Sequence, residues 1–220
     1  GANIANNVDR VFGGGIHLVN GSTATANEIQ DNRITTGWEA HGAGIYNSYS
    51  AMANNTISGN RALGRYARGG GVFGDNPTLF TNNLVVDNTV EHYEWDGDAH
   101  GGGLYVNGGV LDNSEVRGNR ALGQRGFAGG AYLTNLTLQN SMVTSNTAQN
   151  NYGAIWWQDG GELTHSTITN NGAQSTGVDS TGGMFVDGRP TINHNTILGN
   201  SGIALNTTAK PDNPRLNARY

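Results

Sequence analysis

The sequence contains no cysteine, only four prolines and few charged residues, which make up 13% of the chain. Without cysteine, neither a disulfide framework nor a thiolate metal site is possible. Disordered chains usually carry more charge and more proline, so this composition indicates a folded chain. No apolar run approaches the ~18 residues of a membrane span. The net charge of −5 argues against a nucleic-acid partner.

Glycine is abundant, with 35 copies in 220 residues, and this indicates many tight turns between short strands. The turns recur with a period. Seven asparagines stand at intervals of 28, 28, 31, 27, 25 and 29 residues. They are Asn32, Asn60, Asn88, Asn119, Asn146, Asn171 and Asn200. The chain is therefore a repeat protein with a mean period of 28 residues.

Further columns keep the same register. A β-branched residue stands three positions before each asparagine: Ile29, Ile57, Val85, Val116, Val143, Ile168 and Ile197. Two residues before that column stands Asn or Ser. An apolar residue follows each Gly-Gly signal: Ile16, Ile45, Val72, Leu104, Tyr132, Ile155 and Met184. This period is too short for a pair of helices but fits three short strands per turn.

The predicted fold is all-β, a single-stranded parallel β-helix (β-solenoid) of about seven coils over residues 1–205. We expect a right-handed helix, because parallel crossovers are right-handed. Residues 206–220 lose the pattern and are predicted to form a cap, a linker or an arm. The asparagine column is predicted to be structural for two reasons. Asparagine tolerates the left-handed backbone of a sharp bend, and stacked amides bond from coil to coil.

A candidate catalytic group lies four residues before the Gly-Gly-associated column. There, His41, Arg68 and His100 fall on successive coils. If the loops stack, carboxylates of Glu39, Asp96 and Asp98 lie nearby. A basic group flanked by carboxylates suits proton abstraction from a uronic acid, or binding of its carboxylate. The alternative is a set of unrelated loop residues.

The longest loop, residues 89–100, is acidic and aromatic. Asp96, Asp98 and Glu94 are candidate ligands for a Ca²⁺ ion, because hard cations take oxygen ligands from flexible turns. The alternative is a plain solvated loop. No other cofactor is predicted.

A column rich in aromatic residues follows the apolar column: His17, Tyr46, Phe73, Tyr105, Leu133, Trp156 and Phe185. Facing outward, this column would form a stripe for sugar rings or another protein. Facing inward or partly covered, which we favour, it would form a stacked ladder. Tyr46, Tyr105, Trp156 and Trp157 are the candidate ligand-binding residues. At least one of the two adjacent tryptophans is expected to be exposed.

The repeating unit resembles the Gly-Gly-Ala-Ile repeats of bacterial surface β-helix proteins, the polymorphic outer-membrane and autotransporter passengers. The similar segments include Gly13-Gly-Gly-Ile16, Gly101-Gly-Gly-Leu104 and Asn55-Thr-Ile-Ser-Gly-Asn60. The resemblance covers roughly residues 2–205 and implies the pectin-lyase-like superfamily. It also implies an extracellular or cell-surface location and a role in adhesion, or as a stalk or passenger. Relatives with this fold include polysaccharide lyases and glycoside hydrolases.

Two functions follow from these expectations. The first is a non-catalytic scaffold, either a surface adhesin or a subunit that self-associates end to end into filaments. The second is a polysaccharide lyase or glycoside hydrolase that acts on acidic glycans beside His41, Arg68 and His100. A glycan is an expected partner of either one.

Overall fold

A computed structural model describes residues 1–6, 10–93, 95–175 and 180–208, and for residues 4–6 it describes only the backbone. It contains 32 named strands and, over these residues, no helix. The first sixteen strands are β1 (Asn3–Asn6), β2 (Arg10–Phe12), β3 (Ile16–Val19), β4 (Thr23–Thr25), β5 (Glu28–Gln30), β6 (Arg33–Thr36), β7 (Glu39–His41), β8 (Ile45–Ser48), β9 (Ala51–Ala53), β10 (Thr56–Ser58), β11 (Arg61–Leu63), β12 (Tyr66–Arg68), β13 (Val72–Asp75), β14 (Leu79–Thr81), β15 (Leu84–Val86) and β16 (Thr89–Glu91). The remaining sixteen are β17 (Asp98–His100), β18 (Leu104–Asn107), β19 (Val110–Asp112), β20 (Glu115–Arg117), β21 (Arg120–Leu122), β22 (Gly126–Phe127), β23 (Ala131–Gln139), β24 (Met142–Thr144), β25 (Thr147–Ala148), β26 (Ile155–Thr164), β27 (Thr167–Thr169), β28 (Gly172–Ala173), β29 (Met184–Gly188), β30 (Thr191–Asn193), β31 (Thr196–Leu198) and β32 (Leu205–Thr207).

Strands from successive coils pair in parallel and in register, which confirms the predicted β-solenoid of about seven turns. Sheet A contains β1, β6, β11, β16, β21, β25 and β28, and sheet B contains β2, β7, β12, β17 and β22. Sheet D contains β5, β10, β15, β20, β24, β27 and β31, and the other strands form sheet C. Three strands per turn is therefore wrong. Most strands are only three or four residues long, so most coils contribute to all four sheets, whereas β23 and β26 are longer.

Two bends bracket each three-residue strand of sheet D, and an amide or hydroxyl ladder supports each bend. The predicted asparagine ladder is confirmed. The side-chain amide of Asn60 donates to Oδ1 of Asn88 at 2.9 Å, and Asn88 donates to Oδ1 of Asn119 at 3.0 Å. The predicted left-handed backbone, however, belongs to the residue before each asparagine. Those residues have φ between 55° and 66°: Asp31, Gly59, Asp87, Gly118, Ser145, Asn170 and Gly199.

The second ladder runs through the Asn or Ser column at the other bend. Asn55 donates its side-chain amide to Oδ1 of Asn83 at 2.9 Å. Further along, the backbone N–H of Ser114 donates to the hydroxyl of Ser141 at 3.1 Å. Buried backbone donors at the bends thus find side-chain acceptors, which a coil of such short strands requires.

The interior has two parts. A large core of Ile, Val, Leu and Met lies between sheets C and D, with Trp157 and Phe80 among its wholly buried side chains. A narrow core lies between sheets A and B and consists mainly of alanines: Ile34, Ala40, Ala43, Ala62, Ala67, Val90, Ala99, Ala121 and Ala148. Because alanine is small, sheets A and B approach closely.

The end of the solenoid is described only in part. Strand β32 pairs with β29 as far as Thr207, which lies opposite Val186. Residues 209–220 lie outside the described residues. Their assignment, with residues 206–208, to a cap, linker or arm stays a prediction. Over the described residues, no helix is long and apolar enough to cross a membrane.

Candidate functional site

Sheets B and C meet at a sharp turn, and their outward side chains converge there. We call this region the ring corner. Sheet B contributes Phe12, His41, Arg68, His100 and Phe127, and Asn151 continues this column through an isolated bridge to Phe127. Sheet C contributes His17, Tyr46, Phe73, Tyr105, Tyr132, Trp156 and Phe185. The turn requires glycine at Gly69, where φ is +59° and a Cβ atom would lie 2.0 Å from the carbonyl oxygen of Val72.

The sequence-based register was wrong by one residue in a single coil. Ala131, not Tyr132, is the core residue that pairs with Leu104 and Ile155. Tyr132 therefore belongs to the outward column where Leu133 was expected, and Phe127 lies opposite His100. Alanine was missed because the larger tyrosine follows it directly. The corrected outward column of sheet C carries an aromatic ring in all seven coils.

The rings of this column stack on one another along the helix axis. Tyr46 and Phe73 lie with ring centroids 5.3 Å apart, Phe73 and Tyr105 5.1 Å, and Tyr105 and Tyr132 4.5 Å, each with an interplanar angle of 5°. The column faces outward, yet most of its rings are half-buried, which agrees with the expected partly covered ladder. Because the ring faces cover each other, the inner rings of this stack present mainly their edges to solvent.

The two adjacent tryptophans have opposite orientations. Trp156 points outward, is half-buried and packs edge-on against Tyr132, with ring centroids 5.1 Å apart. Trp157 is wholly buried, and its indole N–H donates to the carbonyl oxygen of Gly160 at 2.9 Å. Its prediction as a ligand-binding residue is wrong, because strand alternation places it in the core beside Leu133.

His41 is enclosed by rings. It is 4% exposed, and its imidazole stacks on Phe73 at 4.6 Å with an interplanar angle of 7°. The ring of Phe12 lies 5.2 Å away. Neither imidazole nitrogen has a hydrogen-bond partner among the described residues. Burial, with the charges of Arg68 and Arg10, lowers the pKa of His41 to about 3, so the ring is neutral near pH 7.

Arg68 and His100 lie in register with His41 on successive strands, so the structure brings the three predicted residues together. His100 stacks on Tyr132 at 5.5 Å and meets Trp156 edge-on at 5.2 Å. The guanidinium of Arg68 lies 5.3 Å from the ring centre of Tyr105. Burial lowers the pKa of His100 to about 4, although the carboxylate of Asp98 opposes this shift.

The three carboxylates that were expected near His41, Arg68 and His100 differ in their contacts. Glu39 pairs with Arg10 at 3.3 Å, and Asp96 forms an ion pair with Arg65. Asp98 lies on the same strand as His100, and one of its carboxylate oxygens is buried without a hydrogen-bond partner among the described residues. The structure thus places Asp98, but not Asp96, with the His41, Arg68 and His100 group.

The predicted Ca²⁺ ligands were Asp96, Asp98 and Glu94. Glu94 lies outside the described residues. Within the part of the chain that the structure describes, no three acidic or histidine side chains cluster as metal ligands. The Ca²⁺ site stays a prediction, and the carboxylate of Asp96 would have to leave Arg65 to take part.

Comparison with known proteins identifies the repeat architecture. A family model described as a right handed beta helix region matches residues 2–171 of this chain. No curated protein and no solved structure matches the chain.

Proposed function

The chain belongs to the right-handed β-helix family, and from that premise we propose that it is a non-catalytic scaffold module of an extracellular or cell-surface protein. Its sides serve in adhesion, with a glycan as the partner. One observation carries the proposal: the side chains best suited to acid–base chemistry are packed into the ring corner.

The geometry of His41 supports this conclusion. A general base must come within hydrogen-bond reach of the proton that it abstracts, directly or through one water. The imidazole of His41 lies between Phe12 and Phe73, and both of its nitrogens are enclosed. His100 is flanked by Tyr132 and Trp156. These histidines act as flat packing elements among the stacked rings.

End-to-end self-association remains part of the proposal. The strands of each described coil pair in parallel and in register with those of the next, so one coil is a template that a like coil can continue. Free strand edges are templates for strand addition by another chain. Contacts of this head-to-tail kind produce filaments when they do not close.

A polysaccharide lyase is the second candidate function. The register of Arg68 and His100, with Asp98 two residues before His100, favours it. In such an enzyme Arg68 would bind a uronate carboxylate and His100 would abstract the proton. This reaction requires the ring corner to open, because the ring of Tyr132 stacks on His100 and the ring of Tyr105 lies beside the Arg68 guanidinium.

Incubation with polyuronates separates the two functions. The 220-residue chain is mixed with polygalacturonate, alginate and heparin, with and without Ca²⁺, and the ultraviolet absorbance of unsaturated products is followed. We expect no product from any polymer, and no difference between the parent and an Arg68→Ala variant. Product formation that disappears in Arg68→Ala would overturn the non-catalytic proposal.

A further inference from the structure

The long loop between β16 and β17 folds back over the two preceding coils. The hydroxyl of Tyr93 donates to the carbonyl oxygen of Thr36 at 3.0 Å, which lies two coils earlier. The N–H of Asp98 donates to the carbonyl oxygen of Arg65 at 2.9 Å. An ion pair between Arg65 and Asp96 joins the loop to the coil between. The loop is therefore held in place across three coils.

Aromatic side chains gather under and on this loop. Trp38 and Tyr66 meet edge-on, with ring centroids 5.3 Å apart. The guanidinium of Arg65 lies over Trp38 at 4.5 Å and near Tyr66 at 5.6 Å. We call Trp38, Tyr66, Tyr93 and Trp95 the aromatic platform. It includes two of the four tryptophans in the chain.

The platform differs from the ring corner in its exposure to solvent. Trp95 is 86% exposed and Tyr93 is 53% exposed, whereas Tyr132 in the ring corner is only 7% exposed. Large rings exposed together are uncommon on a soluble surface and mark binding sites. The contacts of Tyr93 and Asp96 hold the loop before and after Trp95 in the absence of a ligand, which lowers the ordering entropy lost on binding.

We propose that the aromatic platform binds a pyranose ring of a neutral glycan, with the sugar stacked on Trp95. This rests on the proposed function, because it names the adhesive surface of the same scaffold. Apolar C–H faces of sugars suit the exposed faces of aromatic rings, and neighbouring polar groups bond the hydroxyls. Arg65 and Asp96 supply those donors and acceptors at the edge of the platform.

The charges around the platform favour an uncharged ligand. Arg65 pairs with Asp96, Arg61 pairs with Glu91, and Arg10 pairs with Glu39. Each arginine is thus matched by a carboxylate and has no free charge to offer a uronate. The acidic glycans that the sequence suggested are therefore expected at Arg68 and not at the aromatic platform.

The size of the platform favours a sugar over a protein partner. A stable protein interface buries about 800 Å² on each side. Four aromatic side chains, each with at most about 150–250 Å² of surface and two of them half-buried here, offer much less. One or two sugar rings fit this area.

Titration with neutral oligosaccharides tests the proposal. Cellohexaose, xylohexaose and mannohexaose are added to the 220-residue chain, and tryptophan fluorescence and calorimetry report binding. We expect at least one of them to bind, and Trp95→Ala to weaken binding at least tenfold. Tyr93→Ala is expected to weaken it several-fold, and Trp95→Phe to retain most of the affinity, because phenylalanine keeps a ring face. Tyr49→Ala is the matched control, since Tyr49 is also 53% exposed but lies in the bend between β8 and β9, and binding should not change.

Several outcomes would overturn the platform. The first is that no neutral oligosaccharide binds. The second is that Tyr49→Ala and Trp95→Ala lower the affinity equally. The third is that polygalacturonate binds more strongly than the neutral sugars and that Trp95→Ala does not change its affinity. Light scattering that shows a dimer abolished by Trp95→Ala would assign the surface to a second copy of the chain instead. Product analysis of the same mixtures keeps the two proposals separate. Cleavage would overturn the non-catalytic scaffold but not the platform, and absence of binding would overturn the platform alone.

Discussion

Replacement of Asn88 by alanine is expected to lower the free energy of unfolding by about 3–5 kcal/mol. The Asn88 side chain accepts from the backbone N–H and the amide of Asn60, both at 2.9 Å. It donates to the carbonyl oxygen of Ile57 at 2.9 Å and to Oδ1 of Asn119 at 3.0 Å. Alanine removes all four bonds and leaves buried donors and acceptors unpaired. Urea unfolding followed by circular dichroism measures the loss.

Asn107→Ala is the control for the ladder. Asn107 is half-buried at the end of β18 and belongs to neither ladder. Its substitution should change the free energy of unfolding by less than about 0.5 kcal/mol. Equal effects of the two substitutions would mean that the ladder contributes nothing beyond ordinary packing.

His41→Phe is expected to stabilise the protein and to reduce its sensitivity to acid. The folded state holds the pKa of His41 near 3, below the ordinary value of 6.5, so the unfolded state binds more protons as the pH falls. Stability is then complete above pH 6.5 and is lost progressively below it, by about 3 kcal/mol for His41 at pH 4. Phenylalanine keeps the stack on Phe73 and removes two unpaired nitrogens, which adds about 1–3 kcal/mol at pH 7.

Unfolding midpoints from pH 7 to pH 4 test this prediction. The parent should lose stability across this range, and His41→Phe should lose distinctly less. His100 should account for much of the loss that remains in the variant, because burial lowers its pKa to about 4. His17→Phe serves as the control, because His17 is exposed at the start of the same ring column. A steeper acid loss in His41→Phe than in the parent would contradict the packing role of His41.

The sequence repeat predicted most of the fold. Seven asparagines at intervals of 25 to 31 residues, each three residues after a β-branched residue, correctly predict a parallel solenoid and its amide ladder. The left-handed residue could not be assigned from asparagine alone. At these bends the backbone of Asp31, Gly59 or Ser145 adopts the left-handed conformation, and the following asparagine supplies the bonding. Asparagine, aspartate and glycine all tolerate the left-handed backbone. Residue type alone therefore does not show which of the two adjacent positions adopts it.

The candidate site was harder to predict, because outward columns lack a uniform residue type. The register of His41, Arg68 and His100 follows from counting residues back from the Gly-Gly signal. The burial of these three side chains cannot be predicted by counting residues, because it depends on the angle between sheets B and C at the ring corner. The ring faces of Tyr46 and Tyr105 are covered by the neighbouring rings of the stack. The aromatic platform was missed because Trp38 and Tyr66 lie in different coils. The long loop reaches them only by folding backward, through Tyr93 and the Asp96–Arg65 ion pair.

Titration of the histidine side chains by nuclear magnetic resonance reports whether the ring corner is packed or open. We expect His41 and His100 to stay neutral from pH 7 down to about pH 5, with a pKa of about 3 for His41 and about 4 for His100. A pKa between about 6 and 7 for either ring would place it in water, available for acid–base chemistry. That result would contradict a non-catalytic scaffold built around a closed ring stack.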